Sequence, residues 1–350
     1  MTVKIGISGM GRIGRMALRI AMQDPGVEVV AINATSDMAT LAHLLRYDST
    51  HGRWDAVIQA RDDELIIDGH SITVLKERNP LLLPWGALGV EVVLEATGKF
   101  TSYKEAAQHL EGGAKKVVLS TAAKDDMLTI VYGVNQATYD PAVHDVISGA
   151  SCTTNSLSPI VHVLHKNFVI KKGAMTTVHS YTNDQRVLDN PHSDLRRARS
   201  ASQSIIPTGT GAAKAVTKVI PELKGLLNGH SLRVPTPDVS IVDFVAELGV
   251  SATVQDVNQA LVEASNTYLN GILEVSFEPL VSSDYIGNSH SSIVDALSTM
   301  MIGDNMAKVM AWYDNEWAYA HRMVDLMRYV GEQTQQQVNK TNDLLADAKA

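Results

Sequence analysis

Short apolar runs alternate along the chain with stretches of helical spacing, and that alternation predicts an α/β protein. Residues 3–7 read as a strand; Ile13, Met16, Ala17, Ile20 and Ala21 then recur on one helical face, and residues 27–32 read as a second strand. From 56 to 74 short alternating strands are broken by turns at Arg61-Asp62-Asp63 and Asp68-Gly69. Strands follow at 90–94 and 116–119, with a helix over 103–110 between them. Residues 143–147 predict another strand and 157–168 a helix. In the second half, strands are expected at 173–178, 239–247, 272–277 and 306–312, and helices at 212–220 and 252–264. A last long helix begins at 314–319, and the polar tail beyond about residue 330 is expected to fray. No internal repeat is visible.

Two junctions in this pattern carry chemistry. The first is Gly9-Met10-Gly11-Arg12-Ile13-Gly14, a GxGxxG run between a strand and a helix, with another strand after it. That is the context a dinucleotide fingerprint needs: Gly9 for the tight turn, Gly11 for approach of a pyrophosphate, Gly14 for close packing of the helix. The second strand then ends in Asn33-Ala34-Thr35-Ser36, without the acidic side chain that usually binds an NAD ribose. Ala34 leaves space, and Thr35 and Ser36 offer hydroxyls to a 2′-phosphate. The expectation is NADP preferred and NAD possible; the alternative is that Asp37, which also reads as a helix N-cap, binds the ribose. Thr97, Gly98, Ser120 and Thr121 lie at later strand ends, where a parallel sheet binds ligands. Arg78 is either a solvent-facing charge or a lid over the adenine.

The second junction is Ser148-Gly149-Ala150-Ser151-Cys152-Thr153-Thr154-Asn155-Ser156, where a strand gives way to a helix. Free N–H groups at such a helix end favour a thiolate, and the flanking hydroxyls suit an anion. Cys152 is either a nucleophile or a small buried hydrophobe. His179 ends a predicted strand and is either its acid–base partner or a structural histidine. The polar stretch from Ser180 to Ser204 is long for a loop and carries Arg186, Arg196, Arg197 and Arg199. These arginines read as a phosphate clamp, a solvated face or inter-subunit pairs. Thr210 and Gly211 open the next helix as a second anion candidate, and Arg233 adds a basic group beside the following strand.

Composition narrows the classes. The 350 residues leave room for two domains, and 45% hydrophobic content suits large cores. A single cysteine excludes an intrachain disulfide and a cysteine-built metal site, and no HExxH pattern is present; no metal is expected. The net charge of −8 disfavours non-specific nucleic-acid or acidic-membrane binding. No apolar run approaches the ~20 residues of a membrane span. A strand starting at residue 3 leaves no room for a signal peptide, so a cytoplasmic location is expected.

These motifs make the chain resemble the phosphorylating glyceraldehyde-3-phosphate dehydrogenases over residues 2 to about 330. The resemblance rests on Ser151-Cys152-Thr153-Thr154-Asn155, Tyr47-Asp48-Ser49-Thr50-His51-Gly52, residues 175–179, Arg233-Val234-Pro235 and Trp312-Tyr313-Asp314-Asn315-Glu316-Trp317. It is strongest toward the bacterial NADP-preferring branch, through the Asn33-Ala34 strand end, Tyr181-Thr182-Asn183-Asp184-Gln185 and Asp189-Asn190-Pro191-His192. The resemblance implies a Rossmann dinucleotide-binding domain over 1–150 and an α+β catalytic domain with a mostly antiparallel sheet over 151–315. A C-terminal helix over 316–335 would return to the first domain.

The implied reaction is reversible oxidative phosphorylation of glyceraldehyde 3-phosphate to 1,3-bisphosphoglycerate. Cys152 would form a thiohemiacetal and then a thioester, His179 would take the proton, and inorganic phosphate would attack. Thr182, Asp184 and Arg233 would hold the substrate's phosphate; Ser151, Thr153, Thr210, Gly211 and Arg197 the attacking phosphate. Asn315 would orient the nicotinamide amide and Tyr319 lie beside its ring, while Arg12, Ile13, Arg78, Thr97 and Ser120 line the rest of the cofactor site. The family packs as a homotetramer. Gly149 stands where the family usually has asparagine, Ser156 where it often has a second cysteine, and Ala318 and Ala320 where glycine and serine are common. The alternatives are an erythrose-4-phosphate dehydrogenase and a non-catalytic interaction protein that reuses the fold.

Overall fold

The computed structural model describes residues 2–347, with side chains through 342. The chain divides into two compact units. One comprises the residues through Ile130, Ala137–Ala150 and the chain from Ala320 onward; the other comprises Val131–Gln136 and Ser151–Tyr319.

In the first unit, five short strands are apolar almost throughout because a parallel sheet hides both faces. Val3–Ser8 lies centrally, with Val27–Asn33 on one side and Val92–Glu95 on the other, all parallel. Lys116–Leu119 and Val146–Ser148 extend the sheet beyond Val92–Glu95. Beyond Val27–Asn33 come parallel His70–Leu75, then antiparallel Glu64–Ile67 and Ile58–Arg61. Asp68 (φ +48°) and Gly69 (φ +85°) make the left-handed pair that a tight hairpin turn requires. The strand order reverses at Val3–Ser8, and ligands of such sheets bind outside the carboxyl ends at that point.

In the second unit, the sheet runs Ile206–Gly209, Leu227–Val234, Ile170–Ser180, Ser240–Leu248, Met306–Tyr313, Ser292–Asp295, Leu273–Ser276. Most neighbours are antiparallel; Ile170–Ser180 with Leu227–Val234, and Leu273–Ser276 with Ser292–Asp295, are parallel. The helix Cys152–Phe168 packs on this sheet with a nearly continuous buried face. The architecture is the expected one: a doubly wound unit and a mixed unit built on a mostly antiparallel sheet.

Three elements differ from the reading of the sequence. The helix expected over 103–110 is two pieces, Tyr103–Ala106 and Gln108–Glu111, broken at Ala107; a capping box between Ser102 and Glu105 starts the first. The strand before Cys152 is Val146–Ser148, because Val143 belongs to a turn closed by N–H donation from Val143 and His144 to Asp140 O. Finally, the C-terminal helix does not stop near 335: Trp317–Asp347 is one helix. Its polar segment contains no proline, and Gln335 Nε2 donates to Glu91 Oε2 at 2.9 Å, which ties it down.

Candidate active site

At the carboxyl edge of the first unit's sheet lies a cleft of about 330 Å³. Gly9 (φ +98°) turns the chain there, and a Cβ on it would strike Thr97 N and the Ala96 backbone. Gly11 differs: a Cβ would meet nothing within 4 Å, so backbone faces open space in the cleft lining. The helix Arg12–Ala21 starts at this point with no side-chain cap and no acidic residue in its first turn. Unblocked N–H groups, positive dipole end and open approach fit a dinucleotide pyrophosphate.

The cleft is also lined by Asn33, Ala34, Thr35, Ser36, Arg78 and Lys99. The Asn33 amide is already used: its Nδ2 donates to Glu77 O at 2.8 Å and its Oδ1 accepts from Glu77 N at 3.0 Å. Glu77 also lines the cleft, but its Oε1 accepts the N–H groups of Arg78 (2.7 Å) and Asn79 (2.8 Å). Asp37 caps the helix Met38–Arg46 by accepting from Thr40 N, as its sequence context suggests. The cations Arg78 and Lys99 and the hydroxyl residues Thr35 and Ser36 therefore line the cleft, and Glu77, the one acidic residue lining it, has a carboxylate oxygen turned onto backbone.

Gly9, Gly11, Thr97 and the 33–36 segment all line the cleft, whereas Arg12, Ile13, Gly14, Gly98 and Ser120 are not among its lining residues. Arg12 is bonded through both Nη atoms to Asp48. Burial raises the Asp48 carboxyl, but hydrogen bonds from His51 and Arg12 outweigh it and hold the group far below the usual carboxylate range. Ser120 Oγ donates to Glu95 O at 3.0 Å. A Cβ on Gly14 would strike Gly9 O, in keeping with its packing role. Lys99, Met10, Pro80, Leu83 and Phe100 were missed as lining residues. For Lys99 a signal existed: it follows Thr97-Gly98 directly after a strand end.

In the second unit, Ser151 caps the helix Cys152–Phe168, its Oγ accepting from Thr154 N at 3.1 Å. Cys152 is thereby the first helical residue, and its Sγ lies 3.4 Å from His179 Nε2. His179 ends Ile170–Ser180 beside the parallel Leu227–Val234, whose register pairs it with Arg233. Its Nδ1 lies 2.7 Å from Ser180 O and 2.9 Å from Arg233 Nη1, and Arg233 Nη1 also donates to Ser180 O at 3.1 Å. Both N–H groups satisfy one carbonyl when Nδ1 carries the ring proton, which leaves the Nε2 lone pair facing the sulfur.

Burial pushes His179 down to about 3, and the Arg233 charge adds to that. Cys152 is half-buried as a residue, but neighbours crowd its sulfur; burial pushes the thiol up, only partly offset by Arg233 and by Thr153 and backbone hydrogen bonds. The 3.4 Å contact between Sγ and Nε2 is the path along which a proton can pass between sulfur and ring. Arg233 Nε is buried without a partner, a donor held ready for an anion.

Tyr313, not singled out from the sequence, donates or accepts at both Thr153 Oγ1 (2.9 Å) and Thr177 Oγ1 (2.8 Å), with its ring edge-on to His179. The expected phosphate residues fall into smaller groups. Asp184 does not stand free: Arg197 Nη1 donates to its Oδ2 at 2.5 Å, and Arg197 Nε donates to Thr208 Oγ1 at 3.1 Å. Thr182 N donates to Gln185 Oε1, and Thr210 Oγ1 accepts from Ala212 N where the helix Ala212–Val219 begins at Gly211. Asn315 is buried beside the strand end of Met306–Tyr313, bonded to Ser180 and Ser240; Tyr319 is buried in the first turn of Trp317–Asp347.

The family model for the NAD binding domain of glyceraldehyde 3-phosphate dehydrogenase matches residues 3–103, and that for its C-terminal domain matches 151–315. The chain belongs to the glyceraldehyde 3-phosphate dehydrogenase family. It is 59% identical to glyceraldehyde-3-phosphate dehydrogenase of Geobacillus stearothermophilus over 94% of this chain and 98% of that one. It is 57% identical to glyceraldehyde-3-phosphate dehydrogenase 1 of Bacillus subtilis (95% and 99% covered). To glyceraldehyde-3-phosphate dehydrogenase 2 of the same organism it is 52% identical (94% and 97% covered). Family membership makes the chain an oxidoreductase with a dinucleotide-binding domain. Among the described residues no helix is long and apolar enough to cross a membrane.

Proposed function

We propose that the chain catalyses reversible oxidative phosphorylation of glyceraldehyde 3-phosphate to 1,3-bisphosphoglycerate. The observation that carries this reading is the 3.4 Å approach of Cys152 Sγ to His179 Nε2 at a helix start. In it, His179 Nε2 takes the thiol proton as Cys152 Sγ bonds to the aldehyde carbon and returns it to the carbonyl oxygen, giving a thiohemiacetal and a neutral imidazole. The same imidazole then receives the hydroxyl proton as the thiohemiacetal is oxidised to a thioester. A bound nicotinamide dinucleotide supplies the hydride acceptor. Attack of inorganic phosphate on the thioester carbonyl releases the acyl phosphate and regenerates the sulfur.

Arg233, with one N–H unpartnered, and Thr182 take the substrate phosphate. Ser151, Thr153, Arg197, Thr210 and Gly211 take the attacking phosphate. Asp184 acts through Arg197, since a bare carboxylate repels a phosphate. Residues 1–150 serve as the dinucleotide-binding domain, 151–315 as the catalytic domain, and the C-terminal helix returns to the first. Gly9, Gly11, Arg12, Ile13, Gly14, Arg78, Thr97, Gly98, Ser120, Asn315 and Tyr319 hold the dinucleotide. NADP is preferred over NAD, because Arg78, Lys99, Thr35 and Ser36 border the cleft where an acidic ribose ligand would repel a 2′-phosphate. A homotetramer fits the strongly exposed Val187, Leu188 and Leu195 on the long polar segment and Ile205 just after it, which need a partner surface, and the cytoplasm is its proposed location.

The test is steady-state turnover of glyceraldehyde 3-phosphate with and without inorganic phosphate, for wild type and Cys152→Ser. Turnover that depends on phosphate and vanishes in the variant is expected. Sustained oxidation without phosphate, or activity surviving the loss of the sulfur, would remove the proposal.

A further inference from the structure

Three strand ends meet at one edge of the second unit's sheet. The register pairs Val178 with Ile241 and Ser240 with Tyr313, so the end of Ile170–Ser180, the start of Ser240–Leu248 and the end of Met306–Tyr313 lie side by side. Ser180 and Ser240 are both buried there and aim their hydroxyls at one atom. Ser180 Oγ donates to Asn315 Oδ1 at 2.8 Å and Ser240 Oγ donates to it at 2.7 Å. Ser180 N–H donates to Ser240 Oγ at 3.0 Å, and the one proton of that hydroxyl has two acceptors in range, Asn315 Oδ1 at 2.7 Å and Ser180 Oγ at 3.5 Å, of which the asparagine is much the nearer. A carbonyl oxygen offers two lone pairs, and both are taken within the protein. The amide can therefore present only its NH₂ to a ligand.

The surrounding backbone is committed to this arrangement. Val239, next to Ser240, sits at φ +64°, in the left-handed region that a β-branched residue avoids. Ser180 also contributes the carbonyl that holds His179 Nδ1 and Arg233 Nη1. One residue thus carries the base on its backbone and Asn315 on its side chain.

We propose that Ser180 and Ser240 are positioning residues that fix the polarity of Asn315, so that it donates to a carbonyl on the nicotinamide ring rather than accepting from an amine. This rests on the reading of Asn315 as the residue that meets the nicotinamide amide. Replacing the ring's carboxamide by an acetyl group keeps the carbonyl and removes the NH₂, so the two polarities respond oppositely to that change.

The experiment is calorimetric titration of the full chain with the dinucleotide it binds more tightly, NADP or NAD, and with the acetyl analogue of the same dinucleotide. Wild type is expected to bind the analogue within about threefold of the parent, since no hydrogen bond to Asn315 is lost. Ser180→Ala combined with Ser240→Ala is expected to weaken both by about fivefold to tenfold, as the freed amide loses its fixed orientation. A penalty above about tenfold for the analogue on wild type overturns the proposal, and so does unchanged affinity in the double variant. If the double variant does not fold, the wild-type comparison still decides. Asn315→Ala separates the underlying reading: wild-type affinity for both dinucleotides in that variant means that Asn315 does not meet the nicotinamide, and both fall together.

Discussion

His179 is held neutral by what surrounds it. Burial disfavours its charged form, and the Arg233 guanidinium 2.9 Å away adds a like-charge penalty. An unfolded histidine titrates near 6.5 and this one is pushed down to about 3, so between those values the unfolded chain binds more protons. Stability contributed by His179 is complete above about pH 6.5 and is lost as pH falls toward 3. Removing the imidazole should flatten that window. His179→Asn is expected to lose on the order of 2 kcal/mol less than wild type on going from about pH 7 to about pH 5. Denaturant unfolding at both pH values measures it; equal losses in the two proteins would mean that the histidine is not buried neutral. Cys152 and His179 were legible in the sequence because each ends a local pattern, a strand before a capped helix and a strand end. Arg233 beside the ring was not, because the register that brings it there spans 54 residues. Nor was the burial of the sulfur, which pushes the thiol up, since a helix start speaks for N–H groups and says nothing of how tightly neighbours crowd it.

The strand–turn–helix from Val3 to Ala21 is where sequence and structure agree most closely, because glycine spacing and strand ends are local features. What completes the cleft comes from three separate strand ends. The Asn33 amide is spent on the Glu77 backbone, and this fixes the loop that carries Arg78. Lys99 arrives from the end of Val92–Glu95, and its only signal in the sequence is that it follows Thr97-Gly98 at a strand end. If the two cations share a 2′-phosphate, Lys99→Met should lower kcat/KM for NADP by about threefold to tenfold, the worth of one partly exposed charge pair, and leave NAD nearly unchanged. An equal loss with both cofactors would place the lysine on the shared part of the dinucleotide. No change with either would remove it from the site.

At the scale of the molecule, the order of the chain beyond residue 330 was the least legible feature. The segment beyond residue 330 is polar, and polarity without tertiary context reads as fraying. Its order comes from partners some 300 positions away: Arg328 Nη1 donates to Asp24 Oδ2 at 2.8 Å, and Gly331 lies directly against Val3, in the central strand. Glycine inside a helix costs about 1 kcal/mol relative to alanine, so its presence in the middle of Trp317–Asp347 calls for a packing reason. The reason is contact: a Cβ at 331 would overlap both γ-methyls of Val3, which is fully buried. Gly331→Ala therefore gains helix propensity and loses more to overpacking, a net destabilisation of about 1–3 kcal/mol. Val3→Ala alone also destabilises, by opening a small void. Combined, the two changes should fit one another, because the methyl added at 331 occupies space vacated at 3. The double variant should then be more stable than the sum of the single losses by at least about 1 kcal/mol in denaturant unfolding. Strict additivity would mean that the C-terminal helix does not rest on the first strand, and the tail's order would need another source.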